Sequence, residues 1–152
     1  MGLKFALPIS GLTGLTAVPF AQLATPATCV ICLYKMEVGQ ETSEMTQVEQ
    51  LTVTQRSTAS TLPTATTPLA LGRKDVASLL TGSTTTNATG IATVTGTLIA
   101  GQTFLFPGFN VVNGFFWNGE LWLPQSGFYT IQFKTAPLAA TWSGMLYYEE
   151  FP

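Results

Sequence analysis

The sequence contains no histidine, and Asp75 is its single aspartate. Histidine is the commonest general base and the commonest metal ligand in proteins, so its absence removes every histidine-dependent catalytic triad. No loop rich in aspartate and asparagine has the ligand spacing of a calcium site. The sequence therefore predicts a protein that is not an enzyme and that binds no metal and no cofactor.

Charge of either sign is also scarce, at 9% of 152 residues, against roughly 25% in an average soluble domain. The net charge is −2 and no cluster of lysine and arginine occurs, which excludes the footprint of a nucleic-acid-binding protein. No charged residue lies between Val76 and Gly119. Because mixed charges keep soluble proteins apart, this scarcity predicts a surface covered by partners or by copies of the chain. A neutral, threonine-rich surface on a robust extracellular particle is the alternative explanation.

Long apolar runs are missing too, since no stretch approaches the roughly 20 residues of a transmembrane helix. Residues 1–28 are apolar and carry Lys4 near their start, as a secretory signal peptide does. Two prolines and two glycines interrupt the helical segment that such a peptide needs. We therefore predict that residues 1–26 form an extended N-terminal arm outside the core, and that residues 27–152 form one domain.

From Thr28 onward, short apolar or alternating runs are separated by turn residues, which is typical of an all-β protein. In the run 50–56, Leu51 and Val53 are expected to point inward. The last strand is predicted over residues 142–151, and the one helix-like turn over residues 73–80. About eight strands with regular turns predict a single β-sandwich that is jelly-roll-like.

Asn118 and Gly119 lie between two apolar runs and form the strongest short cue for a two-residue hairpin turn. One face of that hairpin would carry Phe115, Trp117, Glu120 and Trp122. Flat aromatic rings beside a carboxylate can stack on a sugar ring and bind its hydroxyl groups, so these four residues are candidate carbohydrate contacts. The alternative is that the rings fill the sandwich core, where large aromatic side chains dominate burial.

Cys29 and Cys32 have the spacing of a redox pair or of half a zinc site. Their neighbours are β-branched and apolar, and residues three apart on a strand point to opposite faces. We therefore expect two free, buried thiols, which suit assembly in a reducing cytoplasm. Glu149 and Glu150 also point to opposite faces of a strand, so they cannot act as a glycosidase pair, and we expect both to be exposed.

Residues 48–71, VEQLTVTQRSTASTLPTATTPLAL, resemble small virion proteins of tailed bacteriophages. In those sequences a strand ending in an Arg-Ser/Thr-Thr-Ala run leads to a connection rich in threonine and proline. A short turn then follows, and Arg73–Ser78 is its counterpart here. Residues 142–150 fit the general pattern of a sandwich that ends in a short C-terminal strand. The specific likeness covers residues 29–80 and carries over no catalytic residue.

The resemblance implies a structural virion protein, most simply a capsid decoration or cement protein that stabilises the phage particle. Its expected partners are the major capsid protein or other virion proteins and copies of itself, with no nucleic acid and no membrane. A homotrimer is expected, because particle domains commonly assemble with closed symmetry. The expected location is the virion, assembled in the host cytoplasm. The alternative, from the aromatic residues, is a carbohydrate-binding sandwich module on a phage fibre or tail.

Overall fold

The protein is all-β, as the sequence predicts. The computed structural model describes residues 2–12, 19–40, 48–59, 64–72, 76–84, 98–105, 109–110, 115–135 and 141–152, and no helix occurs in these ranges. In chain order the strands are β1 (Leu3–Leu12), β2 (Pro19–Ala24), β3 (Val30–Gln40), β4 (Val48–Glu49), β5 (Leu51–Arg56), β6 (Thr64–Thr66), β7 (Leu69–Ala70), β8 (Thr81–Thr84), β9 (Leu98–Leu105), β10 (Phe109–Asn110), β11 (Phe115–Leu123), β12 (Phe128–Phe133) and β13 (Trp142–Phe151). None of the described segments is therefore a helix that could cross a membrane.

Two larger antiparallel sheets contain most of the strands. One has five strands in the order β11-β3-β13-β1-β7, and the other has six in the order β6-β8-β2-β12-β5-β9. The short strands β10 and β4 pair separately. Buried side chains of both sheets join one hydrophobic cluster, in which the ring of Phe133 on β12 lies 4.9 Å from that of Trp142 on β13. This arrangement is consistent with a β-sandwich.

Alternation of apolar and polar residues explains which side chains enter this core. On β5, Leu51 and Val53 are buried in the hydrophobic cluster, as predicted. The last strand has the bounds expected from the sequence, and its residues Trp142, Leu146 and Tyr148 are buried. A strand places successive side chains on opposite faces, so these short runs are enough to define an inner and an outer face.

The prediction that residues 1–26 lie outside the core is wrong. Strand β1 is an inner strand of the five-stranded sheet, between β13 and β7, and strand β2 is an inner strand of the six-stranded sheet. Phe5, Leu7 and Phe20 are buried in the hydrophobic cluster. The physical reason is the alternation within residues 3–9. Phe5, Leu7 and Ile9 point into the core, and the smaller or charged residues between them point outward, which is a strand pattern despite the proline at position 8.

The predicted hairpin at Asn118 and Gly119 is also wrong. Both residues lie inside the continuous strand β11, which pairs with β3 along its length. The register shifts there, since Asn118 pairs with Lys35 and Leu121 with Leu33, so two residues of β11 oppose Tyr34. Such a β-bulge accommodates an extra residue without reversing the chain. Neither Asn118 nor Gly119 has the positive φ that a type I′ turn needs.

The chain instead crosses from one sheet to the other through a turn at residues 124–127. Within the described ranges Ser126 is the one non-glycine residue with a positive φ, at 55°. The hydroxyl of Thr25 donates to the carbonyl of Pro124 at 2.6 Å and accepts from the N–H of Gly127 at 2.8 Å. A residue from the end of β2 thus fixes the turn between β11 and β12.

The helix-like turn predicted over residues 73–80 is not formed in its described part. Residues 76–80 are irregular, and residues 73–75 lie outside the described part of the chain. Glu150 holds this segment against the end of β13, because its carboxylate accepts from the hydroxyl of Ser78 at 2.5 Å and from the N–H groups of Leu79 and Leu80 at 3.0 and 3.1 Å. A buried carboxylate that accepts several hydrogen bonds replaces the bonds a helix would make within itself.

Candidate functional site

The outer face of the five-stranded sheet is the candidate site. Strand register places its side chains in three rows across the sheet. The rows are Trp122-Cys32-Glu149-Lys4, then Asn118-Lys35-Tyr147-Ala6-Leu69, then Phe116-Glu37-Met145-Pro8. With Tyr34, Glu120 and Phe151, these residues form what we call the aromatic face.

Large apolar side chains are exposed at both edges of the aromatic face. Phe116 and Trp122 on the edge strand β11 are 64% and 48% exposed, and Leu69 on the opposite edge strand β7 is 51% exposed. Exposed apolar area of this kind makes the face a candidate contact surface for another molecule.

The ring of Trp122 is held in place by two neighbours. Its indole N–H donates to a carboxylate oxygen of Glu120 at 3.3 Å, and its ring centroid lies 5.2 Å from that of Phe151. An exposed indole with an adjacent carboxylate combines an apolar surface with a hydrogen-bond acceptor. This pair is therefore able to bind either an apolar partner or a polyhydroxylated ligand.

The middle of the aromatic face carries a compact charged group. The Nζ of Lys35 lies 2.7 Å from a carboxylate oxygen of Glu37, and the hydroxyl of Tyr147 donates to the same carboxylate at 2.8 Å. The Lys35 ammonium also lies 4.5 Å from the ring centroid of Tyr147 and 5.3 Å from that of Phe116. These contacts are cation–π distances, so the lysine is shared between a carboxylate and two rings.

The same contacts shift the pKa values of the three groups. The hydrogen bond to Lys35 lowers the pKa of Glu37, and the bond from Tyr147 adds to this effect. The hydrogen bond to Glu37 is also the first cause that raises the pKa of Lys35 and of Tyr147. Lysine and glutamate therefore stay charged, and the tyrosine stays neutral, over the whole physiological pH range.

The four residues predicted as carbohydrate contacts do not lie on one face. Glu120 and Trp122 are together on the aromatic face, whereas Trp117 is partly buried and packs against the core on the other side of β11. Phe115 pairs with Val38, and its side chain lies outside the described part of the structure. The missed residue is Phe116, which plain alternation along an unbroken strand would have placed beside Glu120 and Trp122.

The outer face of the six-stranded sheet has the opposite character. Thr54 and Thr130 share a hydrogen bond of 2.8 Å between their hydroxyls, and the Nε of Arg56 donates to Thr130 at 3.2 Å. The register places Gln22 beside Thr130 in the same row. These side chains are polar, and all but Arg56 are buried. None of the exposed large hydrophobic residues that the structure describes lies on this face.

The cysteines and the C-terminal glutamates offer no reactive centre in the described residues. Cys29 and Cys32 are free and buried, which confirms the prediction, and burial raises the pKa of both thiols. Glu149 and Glu150 point to opposite faces as expected, but Glu150 is buried rather than exposed. No group of three or more cysteine, aspartate or glutamate side chains that could hold a metal occurs in the described ranges.

Comparison with known proteins adds no relative to this geometry. No protein-family model, no curated protein and no solved structure has significant similarity to the chain. The aromatic face and the composition of the sequence are therefore the features of the chain that bear on its function.

Proposed function

We propose that the chain is a structural virion protein of a tailed bacteriophage, a decoration or cement protein that stabilises the capsid through contacts with the major capsid protein and with itself. The observation that carries this proposal is the aromatic face. Phe116, Trp122 and Leu69 are exposed at its edges, and the ion pair of Lys35 and Glu37 lies between them. Such a face shares with protein–protein interfaces its exposed aromatic side chains, which are enriched there relative to the rest of a protein surface.

We infer that the sandwich is a jelly roll, the finer fold that suits this role. Support comes from the path of the chain, because β1, β3, β11 and β13 belong to one sheet and β2, β5, β9 and β12 to the other. These are the eight strands of six residues or more. Antiparallel strands that cross repeatedly between two four-stranded sheets are the plan of a jelly roll, which is common in capsid domains.

Immunogold electron microscopy of virions tests the proposed function. An antibody raised against the purified protein is applied to intact virions of the phage whose genome encodes the chain. Regular labelling over the capsid supports a decoration protein. Virions without label, while the protein is abundant in the infected cell, would contradict a structural role.

A carbohydrate-binding module on a phage fibre or tail is the second candidate, and the exposed pair of Trp122 and Glu120 favours it. The test is a titration of tryptophan fluorescence with a panel of soluble oligosaccharides. Trp122→Ala should abolish any saturable change, whereas Trp117→Phe, on the other side of the strand, should keep it. Gold label on fibres or tail, instead of on the capsid, would favour the same candidate.

A further inference from the structure

The edge strands of the two larger sheets differ in length. Among the described strands, β7 and β6 each form one edge of a sheet with two and three residues, whereas β11 and β9 form the other edges with nine and eight. Natural proteins often keep edge strands short, because an edge presents a row of unpaired N–H and C=O groups on which another strand can form. Strand β11 is therefore the longest edge in the part of the chain that the structure describes.

Strand β11 also lacks the residues that most often protect a sheet edge. Its sequence, FFWNGELWL, contains no lysine and no proline, and Glu120 is its single charged residue. The β-bulge opposite Tyr34 interrupts the strand, but regular pairing with β3 continues on both sides of it. None of the backbone hydrogen bonds described outside the strand pairs involves β11. The edge of β11 that faces away from β3, which we call the outer edge, is therefore open to the backbone of another strand.

The side chains along the outer edge determine what an added strand would contact. Phe116, Asn118, Glu120 and Trp122 are all exposed, and all four belong to the aromatic face. An added strand places every second side chain beside these residues, so its apolar side chains would cover Phe116 or Trp122. The removal of this apolar area from water then adds to the stabilisation from the backbone hydrogen bonds.

Two carboxylates near Trp122 favour a strand with a positive charge. Burial raises the pKa of the Cys32 thiol, and the negative charges of Glu120 and Glu149 raise it further. Both carboxylates therefore lie close to Cys32, which pairs with Trp122 across the two strands. A lysine or arginine opposite Glu120 would meet this negative charge and could also stack on the exposed indole of Trp122.

The lysines of the aromatic face do not already neutralise these two carboxylates. Lys35 is paired with Glu37 at 2.7 Å, and the Nζ of Lys4 lies 5.4 Å from the ring centroid of Tyr34. Within the described residues, neither Glu120 nor Glu149 takes part in an ion pair. The missing positive charge can therefore be supplied by another molecule.

A second copy of β11 would not supply it. The strand carries no cation, so two copies paired along their outer edges would give Glu120 no opposite charge. Opposite charges on neighbouring strands stabilise a pair, and like charges destabilise it. An extended segment of a different protein, with a basic residue in the right position, fits this edge better than the chain itself.

We propose that the outer edge of β11 binds an extended segment of another protein as an added strand, with a lysine or arginine of that segment opposite Glu120 and an apolar residue two positions away beside Trp122. This inference rests on the proposed structural role, because it names the chemistry of the segment that a partner presents to the aromatic face. It is tested on the purified protein, whereas the virion proposal fails if virions carry no label, so the two failures are seen in different experiments.

The test uses an array of overlapping synthetic peptides that cover the proteins encoded by the same genome. The purified full chain is applied to the array, and each peptide that binds is measured again in solution by fluorescence anisotropy. We expect saturable binding of a peptide that has a basic residue and an apolar residue two positions from it. The inference is overturned if no peptide of this pattern binds.

Charge reversal tests the contact with Glu120. Glu120→Lys should weaken binding of the peptide about tenfold, because an attraction between neighbouring strands becomes a repulsion. Replacing the basic residue of the peptide by glutamate should restore binding to this variant. Leu79→Ser is the control, because Leu79 is 56% exposed but lies outside the strands of the aromatic face, and its affinity should be unchanged. Equal affinities of Glu120→Lys and the unmodified protein would contradict the inference.

Hydrogen exchange with mass spectrometry tests whether the peptide joins the sheet. In the complex, the amides of β11 that point away from β3 should exchange more slowly than in the free protein, because they become hydrogen-bonded to the peptide. The amides of β9, the other long edge strand, should be unchanged. Binding that leaves the exchange of β11 unaltered would mean that the peptide only contacts side chains, and this result would also overturn the inference.

Discussion

At the scale of single residues, two glycines near the contact of β3 and β13 form a matched pair for substitution. A Cβ atom added to Gly144 would collide with the backbone of Glu37, whereas one added to Gly39 would meet nothing within 4 Å. Gly144→Ala must therefore push the two strands apart, and we expect a loss of about 1–3 kcal/mol in the free energy of unfolding. Gly39→Ala should be neutral or should stabilise by about 0.5–1 kcal/mol, because alanine costs less chain entropy than glycine in a strand. Urea unfolding of both variants measures the difference, and equal stabilities would show that the strands do not approach closely at Gly144.

Tyr129 carries a buried hydroxyl with no hydrogen-bond partner in the part of the chain that the structure describes. Burial raises its pKa to about 12 from an ordinary value of 10.0. The folded protein therefore holds this proton more tightly than the unfolded chain does. The stability that this bound proton of Tyr129 contributes is complete below pH 10, and it is lost as the pH rises from 10 toward about 12.

The variant Tyr129→Phe should keep or raise the melting temperature at neutral pH, because it removes a buried polar group and no described hydrogen bond. It should also weaken the fall in stability above pH 10. Tyr148→Phe is the comparison, since the hydroxyl of Tyr148 lies 2.7 Å from that of Ser78 and its loss should cost about 1 kcal/mol at neutral pH. Thermal melts of the three proteins at neutral and alkaline pH measure these effects. A large loss of stability in Tyr129→Phe at neutral pH would show that its hydroxyl is hydrogen-bonded.

At the scale of elements, the turn between β11 and β12 depends on one hydroxyl from the end of β2. Thr25→Val keeps the shape of the side chain but leaves the N–H of Gly127 and the carbonyl of Pro124 without this partner. We expect a loss of about 1–3 kcal/mol, because the buried N–H of Gly127 is left unpaired, whereas Pro124 is exposed and its carbonyl can bond to water instead. Thr25→Ser keeps the hydroxyl and loses one methyl group, which is worth about 0.8 kcal/mol. Chemical denaturation of both variants is the measurement, and equal losses would mean that the hydroxyl does not hold the turn.

The elements also show where sequence patterns are reliable. The strand Trp142–Phe151 and the inward residues Leu51 and Val53 could be predicted, because alternation alone defines them. The bulge in β11 could not, because Asn-Gly between apolar runs is equally compatible with a hairpin. The pairing with β3 along the whole of β11 decides between the two, and that is a long-range contact which no local pattern contains.

At the scale of the whole molecule, the all-β class could be predicted but the place of the first 26 residues could not. The prolines and glycines of this segment obscured the alternation of β1. Pro8 is tolerated there because β7 pairs only with Phe5 and Ala6, so no described strand requires an N–H from position 8 on that side. The candidate site was predicted in part, since Glu120 and Trp122 lie together while alternation along the unbroken strand places Trp117 on the other face.

The low content of charged residues and the exposed aromatic side chains of one sheet face support the same conclusion. The aromatic face is covered by another protein when the chain is assembled into the particle. Hydroxyl-radical footprinting with mass spectrometry, applied to the protein on purified virions, tests this claim most directly. Oxidation of each residue is normalised to its rate in the urea-unfolded chain. In the single chain Phe116, Trp122 and Leu79 are exposed to similar extents, at 64%, 48% and 56%. We predict that Phe116 and Trp122 are strongly protected on the particle while Leu79 is oxidised freely. Oxidation of all three in proportion to their exposure in the single chain would contradict the account.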